Sequence, residues 1–168
     1  MKKLEKIEDK PEFDASQKTA VVFLTENAGL GAHTLLWINR LFPNNFKNYI
    51  FVQVGAVDIE SFKGDKALKE MKNKVNANLR YFVKYANNLG CYAEKYSDYG
   101  MNITKKTYEI SQQISKKYPK AVFFCSKVIL AKHKILGTIL HNRNANQLQD
   151  KLHADGHQMI LLPIKIKL

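Results

Sequence analysis

Arginine is nearly missing from this basic chain. Of its 27 Lys/Arg residues only Arg40, Arg80 and Arg143 are arginines, so a net charge of +12 is almost wholly lysine. Lysine is a hydrated point charge, suited to a diffuse field and not to forked, bidentate readout. A dense nucleic-acid code is therefore not expected, and nucleic acid is not an expected partner. Cysteine is scarce as well: Cys91 and Cys125 form no CxxC pair, which excludes a disulfide framework and leaves two buried thiols as the reading. No apolar run approaches the roughly 18–20 residues that span a bilayer. Five histidines stand without HExxH or paired Cys/His spacing, so no metal site is expected, and G-x-S-x-G is missing too. No residue set amounts to a reaction mechanism, and the chain reads as non-catalytic, with no catalytic residues.

What is present is an unequal charge distribution and a regular alternation of elements. Residues 1–62 hold 7 Lys/Arg against 8 Asp/Glu, while residues 63–168 hold 20 against 7. A lysine field of this kind suits an anionic membrane surface. Residues 1–18, charged in both signs and broken by Pro11, read as a linker or tether. The remainder, 19–168, reads as a single domain.

Within it, "TAVVFLT" (19–25), "NYIFVQVGAVD" (48–58), "CYAEKYSDYG" (91–100), "KAVFFCS" (120–126) and "HQMILLPIKIKL" (157–168) read as strands. The first is a short continuous apolar run, and it, the second and the fourth read as strands buried on both faces. Between them lie helical patterns. Leu35, Leu36, Ile38, Leu41 and Phe42 make the first; the second spans 65–89, with Leu68, Met71, Val75, Leu79, Phe82, Val83 and Ala86 inward. A third spans 103–118 behind an Asn102 cap, and a fourth covers 143–155, after a variable piece at 127–142. Gly90 and Gly156 stop the second and fourth. Such alternation predicts a three-layer α/β/α sandwich around an open, mostly parallel five-stranded sheet in the order 3-2-1-4-5. Ligands in such folds bind at the carboxyl ends of the strands, where the order reverses, here between strands 1 and 4. Gly29, Gly31, Asp58 and Ser126 are expected to border that crevice.

The turn Glu26-Asn27-Ala28-Gly29-Leu30-Gly31-Ala32-His33-Thr34 raises the question of a phosphate site. A G-x-G-x-x-G fingerprint would need glycine where Thr34 stands, and a Walker A loop would need Gly-Lys-Ser/Thr. Backbone N–H groups at a helix start could still hold an anion. Equally, Gly29 could supply φ > 0 and Gly31 a close helix–strand approach.

Several segments are more individual: Gly29–Leu36, Arg40–Pro43, Phe46–Asn48, Val54–Asp58, Phe62–Gly64, Tyr118–Phe124 and Leu140–Asn142. Together they resemble the C-terminal cytosolic domain of some bacterial permeases of the amino acid–polyamine–organocation superfamily, over about residue 19 to the end. The resemblance implies a universal-stress-protein-like (Rossmann-like) fold. It also implies a regulatory or interaction domain at the cytoplasmic side of the inner membrane, partnered with the membrane-embedded permease domain of the same protein. ATP-binding universal stress proteins carry G-x-x-G, about nine residues, then G-Ser/Thr after strand 4. Here Lys127-Val128-Ile129-Leu130 replaces the first glycine pair, Gly137-Thr138 comes without its partners, and His141-Asn142 takes the later place. No cofactor is therefore expected. The alternative is a stand-alone nucleotide-binding protein holding ATP or another nucleotide with Gly29, Gly31, Thr34, Asp58 and Ser126.

At the C-terminus Ile164, Ile166 and Leu168 alternate with Lys165 and Lys167, the pattern of a half-buried edge strand. Strand 5 is expected to pair with a second copy as a homodimer. Solution scattering should give a dimer that removal of residues 164–168 dissociates; a monomer unchanged by that truncation would contradict the pairing.

Overall fold

A computed structural model describes residues 10–58, 64–130 and 136–166. The first nine residues of the expected linker, Phe62-Lys63 and the final two residues lie outside them. The chain runs β1 (Lys18–Phe23), α1 (Ala28–Leu41), β2 (Phe46–Ala56), α2 (Asp65–Asn88), β3 (Tyr92–Gly100), α3 (Ile103–Lys117), β4 (Ala121–Leu130), α4 (Leu136–Ala154) and β5 (Gln158–Ile166). The sheet order is β3-β2-β1-β4-β5 and every pairing is parallel. This is the three-layer α/β sandwich that the alternation predicts.

Period-two patterning divides the core into two layers. Ala20, Val22, Phe51 and Phe124 point to the side of α1 and α2, where Leu35, Ile38, Val75, Leu79, Phe82 and Ala86 cover them. Val21, Phe23, Ile50, Val52, Phe123 and Cys125 point to the other side, against Ile110 and Ile114 of α3 and Leu148 and Leu152 of α4. Central strands with residues buried on both faces need the continuous apolar runs seen in β1, β2 and β4.

The helix ends follow local chemistry. Asn102 caps α3 by accepting from the Lys105 N–H at 3.0 Å, and Gly90 and Gly156, at φ 76° and 82°, follow α2 and α4. At α1 the expectation is corrected: Gly29 is not among the residues with positive φ. It is a helical residue, and the turn is made by capping side chains instead. The Thr25 hydroxyl accepts from the Asn27 N–H at 3.2 Å, and the Asn27 carbonyl side chain accepts from the Gly29 N–H at 2.9 Å.

The inward face of α1 is corrected too. Gly31, Thr34, Leu35 and Ile38 are buried, whereas Leu36 and Leu41 are 51% and 52% exposed. Gly31 explains the rotation. A Cβ at that position would lie 2.6 Å from Phe82 Cζ and 2.8 Å from Leu24 Cδ2, so α1 rests on α2 and β1 at its glycine.

The arm preceding β1 is fastened to the sheet over its described part. Asn48, fully buried in β2, accepts from the Asp14 N–H at 3.0 Å and donates to the Asp14 carbonyl at 2.7 Å. Phe13 sets its ring edge-on to Tyr92 and Tyr118, and Lys120 donates to the Ser16 carbonyl. Residues 13–16 thus belong to the folded unit, although their composition reads as linker.

Gly31→Val should lower stability by about 1–3 kcal/mol in urea unfolding, because Phe82 and Leu24 must move off their rotamers. Unchanged stability would mean that α1 does not sit this close.

Candidate functional site

The place to look for a ligand in this topology is the gap between β1 and β4 at their carboxyl ends. The two strands are in register from Thr19↔Ala121 to Val22↔Phe124, after which the chain leaves β1 while β4 runs on to Leu130. The Thr19 N–H donates to the Lys120 carbonyl, so the even-numbered residues of β4 turn their backbone groups toward β1. Beyond Phe124 that flank loses its partner strand, and Ser126 and Val128 are left facing the gap.

Two side chains from α4 fill it. The Asn142 carboxamide accepts from the Val128 N–H at 3.0 Å and donates to the Val128 carbonyl at 2.9 Å, as a neighbouring strand would. One turn of sheet earlier, His141 Nε2 lies 2.8 Å from the Ser126 carbonyl and 3.3 Å from the Ser126 hydroxyl. A carbonyl can only accept, so the proton must sit on Nε2. That nitrogen then has no lone pair with which to deprotonate Ser126, and the pair is not a nucleophile with its base. Ser126 itself is 2% exposed.

The other residues expected at the crevice are held by contacts of their own. Thr34 is 1% exposed and donates to the Leu30 carbonyl of its own helix at 2.8 Å. Gly31 is buried against Phe82 and Leu24, and Gly29 is exposed with its N–H held by Asn27. Asp58 is exposed just past β2, a strand away from the gap. Of the five, Ser126 is the one that meets His141 in the gap. His141 and Asn142 are the residues that act there, and in the sequence they stand at the end of the variable piece at 127–142.

Both thiols are buried. Burial pushes Cys125 up to about 12 and raises Cys91 as well, so both stay protonated near neutral pH. Among the described residues no group of three or more His, Cys, Asp or Glu is arranged to hold a metal.

An open groove of about 600 Å³ lies elsewhere, between α2 and the edge strand β3. Lys10, Arg80, Lys84 and Lys95 line it, with Glu94 the one carboxylate. Burial would raise the Glu94 carboxyl, but hydrogen bonds from Tyr118, Tyr92 and Lys117 outweigh it and hold the group below the usual carboxylate range. The Glu94 carboxylate is taken up by Tyr118 and Lys117 at the end of α3, and the lysines and Arg80 set the sign of the groove.

No family model and no curated protein matches this chain. Among the described residues no helix is long and apolar enough to cross a membrane.

Asn142→Ala strips both partners from Val128 and should cost about 1–3 kcal/mol in chemical unfolding. Asn142→Asp should recover only part of that loss, since a carboxylate accepts from the Val128 N–H but repels its carbonyl. Wild-type stability in both variants would show that Val128 does not depend on Asn142.

Proposed function

We propose that this protein is a non-catalytic regulatory or interaction domain on the cytoplasmic side of a bacterial inner membrane, attached to an amino acid permease-like transporter. One observation supports it above others: the gap in which a fold of this kind would take a ligand is occupied by the protein's own His141 and Asn142. With the gap filled, α4 locks the sheet as a rigid body, which suits a domain that works through its surface. The five-stranded order is the one that the permease resemblance implies. No helix able to span a bilayer occurs among the described residues, so the transport path would belong to another part of the protein.

The second reading, a stand-alone nucleotide-binding protein, draws on the helix start at Gly29. Against it stands the Asn27 side chain, which already takes the Gly29 N–H that a phosphate would use.

Fractionated native cells, probed with an antibody to this domain, test the reading. The expected result is a membrane-bound band several tens of kilodaltons above the 19.3 kDa of this chain. A band near 19.3 kDa in the cytosolic fraction would overturn it and make nucleotide binding the leading question.

A further inference from the structure

From Met71 onward, α2 combines three features that no other described helix combines. From Met71 to Ala93 the chain carries Lys72, Lys74, Arg80 and Lys84 and not one carboxylate. Along the same helix Tyr81, Tyr85 and Leu89 follow at four-residue spacing, which stacks them into one ridge. They are 59%, 44% and 56% exposed. Arg80 and Lys84, both exposed, run alongside. The groove beyond them adds Lys95 and Lys10, so the cationic field continues to the sheet edge.

We propose that this ridge is where the protein docks on an anionic lipid surface. The inference rests on the membrane-side reading above and names the face that meets the bilayer. Each element of the ridge fits that occupant. Tyrosine places an apolar ring at the headgroup boundary and keeps its hydroxyl wet. Leu89 at the helix end supplies an aliphatic contact. Lysine and arginine near an anionic leaflet each add an attraction that decays within a Debye length. The rings are also held up for contact: Tyr81 stands edge-on to the buried Phe82 at 5.2 Å, so its base is anchored in the core.

The path of the chain agrees with this face. Lys10 lines the same groove, and from there the arm is pinned to the sheet through Phe13 and Asp14. A tether leading from a membrane domain would reach this domain beside the ridge. Nucleic acid fits less well, since arginine is nearly missing and a leucine ends the aromatic series.

Co-sedimentation with vesicles tests the proposal, using the full chain, vesicles with about 30% phosphatidylserine, and neutral phosphatidylcholine vesicles. Binding is expected to the first and not to the second, and to weaken as salt rises. Arg80→Glu with Lys84→Glu should reduce affinity at least about tenfold. Tyr81→Ser with Tyr85→Ser should reduce it at unchanged net charge. Lys105→Glu with Lys116→Glu, on α3 across the sheet, makes the same change in net charge and should leave most binding intact. Circular dichroism melting of each variant separates lost docking from lost folding, and the tyrosine pair serves if the charge-reversed pair is unstable.

Equal loss in the α2 and α3 charge variants would overturn the proposal, because total charge and not this ridge would then govern binding. So would equal binding to both vesicle types, no binding to either, or binding only to DNA or RNA. The outcome is separable from that of the permease reading. A free 19.3 kDa protein that still binds vesicles through α2 keeps the docking face and loses the transporter. A membrane-bound larger protein whose domain ignores vesicles does the reverse.

Discussion

A parallel sheet whose strands differ in length must find partners for the backbone groups that outrun their neighbours. Here that constraint falls on β4, which continues six residues past its last pairing with β1. An unpaired buried amide or carbonyl costs on the order of 1–3 kcal/mol, a large part of a marginal fold's stability. The Asn142 carboxamide meets the constraint by presenting a donor and an acceptor at the spacing of a peptide group, and His141 takes the next carbonyl. Asn48 plays the same part elsewhere in the sheet, binding both the N–H and the carbonyl of Asp14. One asparagine closes the gap beside β4, and the other fastens the arm.

The consequence for function follows from geometry. In an open α/β sheet the divergence of two crossovers leaves a hollow that ligands use. Glycines near that hollow let the backbone approach a phosphate; side chains there keep it out. In this chain the side chains do structural work in the hollow and are not available to a ligand. The cations and tyrosines of α2 stand on the outer surface instead.

The order of elements and the sheet topology were legible because period-two and period-3.6 patterns are strong in β1, β2, β4 and α2. The Asn102 cap and the Gly90 and Gly156 stops were legible for a local reason, since capping and positive φ depend on neighbours in sequence. The face of α1 was not. Five large apolar residues suggested a stripe through Leu36 and Leu41, but a glycine and a threonine decided which side could come close. The hold on residues 13 and 14 was not legible because it comes from Asn48, Tyr92 and Tyr118, far along the chain. The contacts made at the expected site were hidden for a related reason. Gly31 and Thr34 serve packing, and the residues that act at the gap come from α4, which begins at Leu136 and not at 143.

The most direct test of this account is amide hydrogen exchange at Val128 in the wild-type protein. If Asn142 stands in for the missing strand, the Val128 N–H will exchange slowly, in the class of the Phe124 amide inside the sheet. A Val128 amide exchanging as fast as the exposed turn at Asn44 would mean that the gap is open, and that the crevice is again a place for a ligand.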